Sequence, residues 1–591
     1  MYILGLNIGH NATACLLKDG KITGCVQEER FSRIKNHSGI PFKGIDFLLR
    51  ENNITIKDID LIVSEDHYPL IEDPDFGKKF LEDYTHKRFH KKILSGLGYK
   101  YPRLFEKYLR IKEIKRDIVK KRGKIRKQLS KKLDFPEKKI VITDHHICHA
   151  LSVGFNVDRK KKTLIFTLDG EGSDICATVN IFDGKKLTTI SKTKKSASLG
   201  YLYAIVTIFL GMKPLQHEFK VMGMAPYAKE HNIEKAYSKF KDLLEIDDSL
   251  MFNSRFNMPF SDIFLEKELK YERFDNICGA IQKLVEEKTC EWIKKSVKKT
   301  GIDSIALSGG VFMNVKANQK IAELPEVKEI FVMPSCGDEC NAIGACFYGY
   351  KLYCEKNNLS FAPSPIKDLY LGPEYDEKYV EDMILRNNLE EKYSIKKLKN
   401  ANKEIARLLS KGEIIARCSG KSEWGARALG NRSILANPSN KETIRILNET
   451  IKDRDFWMPF TPSILDKCEK KYIKNPKKIF APYMVITFDS TKKGREELIA
   501  AIHPYDFTIR PQIITKEYNK DYYEIIKEFY RLTGIGGVLN TSFNLHGEPN
   551  VLTPEDALHT LDNSDLKYLV VGNYLFQKNS YNYKFFKKDS I

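Results

Sequence analysis

Near the N-terminus, apolar and polar positions alternate in short runs. YILGLNIG leads to a turn at His10-Asn11, then to TACLLKDG and KITGCVQEER. This predicts strand, turn, strand, Asp-Gly turn, strand. The order returns later as TLIFTLDG, a turn at Glu171-Gly172-Ser173, ICATVNIFDG and KKLTTISKTK. The Asp-Gly turns at Asp19-Gly20 and Asp183-Gly184 hold equivalent places. Each copy runs into a helical pattern, Phe42 to Arg50 after the first and Leu202 to Leu210 after the second. Two meanders, each leading into helices, predict two similar α/β lobes.

A pair of such lobes resembles the actin-like ATPase superfamily, which holds nucleotide between them. A further strand, Ile302 to Leu307, passes through Ser308-Gly309-Gly310 into a helical pattern from Phe312 to Ile321. Glycines there admit close backbone approach, and the helix start offers N–H groups to phosphate or ribose. A plain strand-to-helix turn would look the same. Pro363, Pro365 and Pro373 break the pattern, which places a boundary near 360 and divides the chain into 1–360 and 361–591. Beyond Tyr393, strand-like and helix-like runs alternate again, so the second domain is also read as α/β.

Composition narrows the function classes. Hydrophobic residues make up 42% and charged residues 30%, ordinary for a soluble globular protein. No apolar run is long enough to span a membrane. Asn7, His10 and Asn11 interrupt the first apolar stretch, which has no basic lead and does not read as a signal peptide. The 12 cysteines are scattered, without a CxxC pair, as expected of reduced thiols in a cytoplasmic protein. Part of the +20 net charge lies in EKYLRIKEIKRDIVKKRGKIRKQLSKK, read as surface helices within an insertion at about 77–135. No aromatic platform accompanies that charge, so the pattern argues against a nucleic-acid partner.

Four constellations carry candidate chemistry. Asp144-His145-His146-Ile147-Cys148-His149 puts His145 and His149 four apart, on one face of a helix, suited to a metal or a phosphate. Asp169-Gly170-Glu171-Gly172-Ser173-Asp174 ends an apolar strand; Asp169 there can ligate a metal while the backbone at Gly170 and Gly172 touches phosphate, or the acids can cap a turn. Asp338 sits where the strand Ile330 to Met333 hands over to a helix, as a ligand or as a helix cap. The fourth set is cationic and amide-rich: Arg427, Arg432, Lys452, Arg454, Arg510, Gln512, Asn540, Ser542 and Asn544. Arginine suits bidentate contact with phosphate or carboxylate oxygens. Trp424, Trp457, Pro459 and Phe460 lie among these residues and argue for a formed pocket.

Taken together, the motifs HHxCHA, SLGxxY, GGVxxN, GDxxxAIG, WGxRALGxRS, KxRxxW-PF, HxxDxTxRxQ and LNTSFNxxGEP resemble the NodU/CmcH carbamoyltransferase family over nearly the whole chain. The resemblance implies an actin-like (ASKHA) N-terminal domain, like that of threonylcarbamoyl-transfer proteins, and a YrdC-like C-terminal domain. It implies that Arg427, Lys452, Arg510, Asn540 and Ser542 hold carbamoyl phosphate, and that ATP, with Mg2+, converts it to a carbamoyl adenylate. It implies a divalent metal, iron by analogy, on His145, His149, Asp169 and Asp338, with Gly170, Gly172, Gly309, Gly310 and Asn314 at the nucleotide. The acceptor would be a hydroxyl of a sugar or natural product, with His10 as the base. A homodimer is left open.

Two positions depart from the family pattern. The usual His-Asp pair near the N-terminus is His10-Asn11, and Met458 follows Trp457 where the family often has arginine. The alternative activity is threonylcarbamoyl transfer to tRNA adenosine; the complete LNTSFNLHGEP run speaks for the small-molecule branch instead.

Overall fold

The computed structural model describes residues 1–66 and 118–579, together with Gly96, Lys100, Tyr101, Leu104, Phe105 and Tyr108. Most of the expected basic insertion therefore lies outside the described residues. The chain divides into two units. One comprises Met1–Ser32, Asn36–Ile366 and Val485–Thr487; the other comprises Arg33–Lys35, Lys367–Met484 and Phe488–Ile591.

In the first unit, β1 (Tyr2–Asn7), β2 (Thr13–Lys18) and β3 (Lys21–Gln27) form an antiparallel meander, and β4 (Leu61–Glu65) and β5 (Ile140–Thr143) add parallel strands beyond β1. The order is β3-β2-β1-β4-β5. A second sheet repeats this arrangement. There β6 (Thr163–Gly172), β7 (Ile175–Phe182) and β8 (Leu187–Lys194) form the meander. A small ribbon, β9 (Leu244–Ile246) with β10 (Phe252–Ser254), follows. Then β11 (Ser304–Ser308) and β12 (Glu329–Val332) extend the second sheet as parallel strands beyond β6. Its order, β12-β11-β6-β7-β8, is the same topology read from the other edge. Both Asp-Gly turns supply the left-handed glycine that such hairpins use, with Gly20 at φ 83° and Gly184 at φ 93°.

The central strands are apolar at consecutive positions because both faces are covered. On one face of the first sheet, Leu4, Leu6, Leu16 and Ile62 pack with Ile45 and Leu48 of α1 (Phe42–Glu51) and with Ile125 and Leu129 of α2 (Ile118–Leu133). Helix α3 (His145–Gly154) follows β5 directly. Helix α4 (Leu199–Phe209) follows the second meander, and α5 (Phe274–Thr300) and α6 (Val315–Glu323) flank β11 in sequence. The other face of β1 meets α7 (Asn341–Lys356), which also packs on α3. A Cβ at Gly5 would come within 2.1 Å of the Ala342 carbonyl oxygen, so glycine sets how closely β1 and α7 approach.

The second unit is built on one mixed sheet. Its strands are β13 (Tyr393–Lys397), β14 (Ile415–Cys418), β15 (Arg432–Ala436), β16 (Thr461–Leu465), β19 (Gln512–Ile514), β20 (Gly537–Ser542), β21 (Tyr568–Val571) and β22 (Tyr574–Lys578). The order is β13-β22-β21-β14-β15-β20-β16-β19, and the ribbon β17 (Phe488–Asp489) with β18 (Thr508–Ile509) stands apart. Helices α8 (Ala401–Ser410) and α10 (Lys520–Thr533) pack together. Helix α9 (Glu442–Leu447) unwinds into a π-turn at Asn448–Lys452, and Asp453 then takes a left-handed conformation at φ 41°. Among the described residues, no helix is long and apolar enough to cross a membrane. All 12 cysteines are free thiols.

Candidate functional site

In the first unit, the polar residues gather beyond the carboxyl ends of the parallel strands, where open α/β sheets place ligands. Asp144 caps α3 by accepting the Ile147 N–H at 3.0 Å, which starts the helix at His145. One turn later His149 falls on the same face, and the two Nε2 atoms lie 3.1 Å apart. Asp169, in β6, brings Oδ2 to 3.1 Å from His149 Nε2 and 3.9 Å from His145 Nε2. Asp338, after β12, brings Oδ1 to 3.5 and 3.6 Å from the same two nitrogens. One donor atom from each of these four residues lies within 4.8 Å of every other.

This donor set fits a divalent cation, with two imidazole nitrogens and two carboxylate oxygens converging in a dry space. Asn341 turns its side-chain amide to the same space, Nδ2 at 3.4 Å from His149 Nε2, while its own Oδ1 has no hydrogen-bond partner. The electrostatics agree. Burial alone would lower His145, but the carboxylates of Asp338, Asp169 and Glu65 outweigh it and push it up to about 10. His149 is likewise held high against its burial, with Cys340 and both aspartates favouring its charged form. Asp169 is held well below its usual range, its burial outweighed by both histidines. Asp338 is held down to about 2, its burial outweighed by His10 and His145. A buried group of acids demands positive charge, which protons or a cation can provide.

The remaining histidine of the run is not part of the cluster. His146 Nε2 donates to the Ile175 carbonyl at 3.0 Å, and Nδ1 faces Thr167 Oγ1 at 2.8 Å. Burial and its two histidine neighbours push it down to about 3, so it is a neutral core residue.

His10 lies in the turn after β1, with Nδ1 3.1 Å from Asp338 Oδ2 and a side chain that is 18% exposed. Asn11 does not orient it. Asn11 is left-handed at φ 57°, and its Nδ2 donates toward Glu339 Oε2 at 3.4 Å. Desolvation raises the carboxyls of buried Glu339 and half-buried Glu218.

The five residues expected at a nucleotide do varied work. A Cβ at Gly172 would lie 2.1 Å from His145 Cδ2, so this glycine makes room for the histidine ring. Gly170 donates its N–H to Asp169 Oδ1 at 2.6 Å, and its α-carbon has open space beside it. Gly309 sits at φ 105°, with Leu168 backbone where a Cβ would be, and the Gly310 N–H donates to Asp169 Oδ2 at 3.1 Å. Asn314 caps α6 through the Ala317 N–H at 3.0 Å, and its Nδ2 donates to Gln282 at 2.8 Å.

In the second unit, several cations converge. Lys452, at the end of the π-turn, donates to Asn544 Oδ1 at 2.9 Å and Ser542 Oγ at 3.3 Å. Arg510 stands in the turn between β18 and β19, and its buried Nε has no hydrogen-bond partner. Burial and the neighbouring charges of Arg427 and Arg454 lower Arg510 strongly; burial and Arg427 bring Arg454 to about 10. Lys452 is held far below its ordinary value by burial and by Arg454. Such a cluster calls for an anion.

The amides beside it are partly supporting. Asn540 Nδ2 donates to the Ala428 carbonyl and Ser463 Oγ, each at 3.1 Å, while its Oδ1 has no partner. Ser542 Oγ donates to Asn544 at 2.6 Å. Gln512 accepts from Ser463 and donates to the Leu429 carbonyl at 3.0 Å, beneath the 425–430 loop. Arg432 is structural: it is buried and donates to the carbonyls of Leu552 at 2.8 Å and Gly420 at 3.0 Å.

Sequence reasoning missed Glu65, Asp66 and Asn341. An acidic pair closing the apolar strand LIVSE was the signal available for the first two.

Residues 2–347 match the carbamoyltransferase N-terminus, and residues 406–578 match the carbamoyltransferase C-terminus. An uncharacterized protein of Methanocaldococcus jannaschii is 30% identical, covering 98% of this chain and 99% of its own. Nodulation protein NolNO of Sinorhizobium fredii is 27% identical over 96% of this chain and 79% of its own length. Among solved structures, the activator of the 2-hydroxyisocaproyl-CoA dehydratase from Clostridium difficile, with bound ADPNP, aligns at a TM-score of 0.32 and 15% identity, over 61% of this chain and 97% of that one.

Proposed function

The chain belongs to the carbamoyltransferase family, and on that premise we propose that it activates carbamoyl phosphate with ATP and transfers the carbamoyl group to an acceptor hydroxyl. The observation that carries this reading is the convergence of buried Lys452 with the half-buried Arg427, Arg454 and Arg510, a concentration of positive charge suited to a phosphorylated substrate. We read the first unit as actin-like and the second as YrdC-like, and assign activation to the second and transfer to the first.

Carbamoyl phosphate is cleaved by water to carbamate and inorganic phosphate. A carbamate oxygen attacks the α-phosphorus of ATP and pyrophosphate leaves, giving carbamoyl adenylate. Arg510, Arg454 and Arg427 bind the phosphate oxygens of the substrate, and Lys452 takes up a proton as the anion arrives. Exclusion of water around them limits loss of the activated carbamoyl group.

His145, His149, Asp169 and Asp338 would hold a divalent cation, which when bound supplies a Lewis acid for the adenylate phosphate. His10, whose Nδ1 lies 3.1 Å from Asp338 Oδ2, would take the proton of the acceptor hydroxyl on Nε2 as its oxygen attacks the carbamoyl carbon and AMP leaves.

The test is exchange of labelled pyrophosphate into ATP, with carbamoyl phosphate and Mg2+ and without acceptor. Exchange that is lost in Arg510→Ala is expected. Exchange driven by threonine and bicarbonate but not by carbamoyl phosphate would overturn the proposal in favour of threonylcarbamoyl chemistry.

A further inference from the structure

Two acidic residues end β4, and both are buried. They act on the same histidine by different routes. Glu65 Oε2 lies 3.3 Å from His145 Nδ1, on the far side of the ring from the Asp169–Asp338 cluster. Asp66 Oδ1 accepts the Ser173 hydroxyl, and Ser173 Oγ in turn accepts the His145 backbone N–H at 3.3 Å. Ser173 and its neighbour Asp174 are both left-handed, at φ 55° and 64°, which is costly for residues with a Cβ unless their surroundings hold them. Asp66 holds the first of them, and Lys195 Nζ binds the second. Asp66 is itself gripped by Arg122 of α2, whose Nη2 and Nε donate to Oδ2 at 2.8 and 3.0 Å.

We infer that Glu65 and Asp66 are positioning residues for His145, and that Arg122 of the basic helix α2 holds Asp66 in place. The inference rests on the metal reading of the cluster. Glu65 accepts the Nδ1 proton, which fixes the tautomer that turns a lone pair at Nε2 inward. Asp66 fixes the start of α3 and the strained turn beside it. Arg122 gives α2 a task at this centre that needs no anionic partner.

The charge of Arg122 makes the inference sharp. Removing a cation near a cation site should strengthen metal binding by Coulomb's law alone. A positioning residue predicts the opposite. Cobalt(II) affinity and its d–d absorption are measured on the full chain by competition with a chromophoric chelator, with a thermal melt as the check of folding. Glu65→Ala is expected to weaken binding by about 10- to 100-fold. Glu65→Gln, which keeps an oxygen acceptor, is expected to weaken it less, and both should alter the d–d bands. Arg122→Met and Asp66→Asn are also expected to bind more weakly, whereas Lys127→Met, elsewhere on α2, should not.

Folded Glu65 and Arg122 variants with wild-type or higher affinity would overturn the positioning roles while leaving the metal reading intact. A wild-type chain that binds no cobalt would overturn both. If Glu65→Ala does not fold, Glu65→Gln and Arg122→Met decide the question by the same measurements.

Discussion

Asp338 turns its two oxygens to two different tasks. Oδ2 lies 3.1 Å from His10 Nδ1, while Oδ1 lies 3.5 Å from His149 Nε2 and 3.6 Å from His145 Nε2. The carboxylate that Asn11 does not supply to His10 is thus provided by a residue far along the chain. The proposed base and the candidate metal cluster share one side chain.

The first prediction separates those tasks. His10→Ala should retain metal, because its ring lies outside the donor set. Asp338→Ala should lose it. Metal content after loading and desalting is the measurement. Equal loss in both variants would mean that His10 belongs to the ligand set.

A second prediction concerns the cationic cluster. Arg510→Met removes one of three neighbouring half-buried guanidiniums, so the ligand-free protein should melt no lower than wild type. Phosphate binds the folded form and should raise the wild-type melting temperature; at one hundred times its Kd this is worth about 2.7 kcal/mol. That rise should vanish in the variant. A ligand-free Arg510→Met chain that melts several degrees lower would contradict a cluster strained by like charge.

The pH dependence of stability gives a third. Burial and Arg454 depress Lys452 in the folded chain, so folding releases a proton between the depressed folded value and the ordinary lysine value. The resulting destabilisation is full below the depressed folded value and fades as pH rises from there toward the ordinary lysine range. Lys452→Met lacks this dependence. The difference in stability between wild type and Lys452→Met should therefore move in favour of wild type as pH is raised across that window. A pH-independent difference in urea melts would show that Lys452 is not depressed.

Gly172→Ala is the fourth. The added methyl group would meet His145 Cδ2 at 2.1 Å, so the ring or the β6 backbone must move. Overpacking of this kind costs about 1–3 kcal/mol. Metal affinity should fall with stability. An alanine variant with unchanged melting temperature and metal content would show that the ring has room to retreat.

Local pattern made some of this legible. The i, i+4 spacing of His145 and His149 needs only a helix to become a pair of ligands. Both Asp-Gly turns needed only the left-handed preference of glycine. Asp169 and Asp338 were each readable as strand-end acids, but nothing in their spacing joins them; the parallel pairing of β6, β11 and β12 does that. The pairing of Glu65 with His145 was hidden for the same reason, since β4 and α3 lie far apart in sequence. Arg432 reads as a phosphate ligand within WGARALGNRS, yet its guanidinium is consumed by backbone carbonyls. Which of several arginines faces a ligand is settled by the loop, not by the motif.

The repeated topology has a consequence for how the two histidines can diverge. β4 in the first sheet and β11 in the second hold equivalent places, each parallel to the first strand of its meander. Glu65, closing β4, lies 3.3 Å from the outer nitrogen of His145, and Ser308, closing β11, lies 3.3 Å from the outer nitrogen of His149. One ancestral-looking position thus appears twice, as an anion in one copy and as a neutral hydroxyl in the other. An approximate symmetry of backbone thus gives two otherwise matched imidazoles different outer partners, a carboxylate for His145 and, for His149, the Ser308 hydroxyl together with Cys340 Sγ.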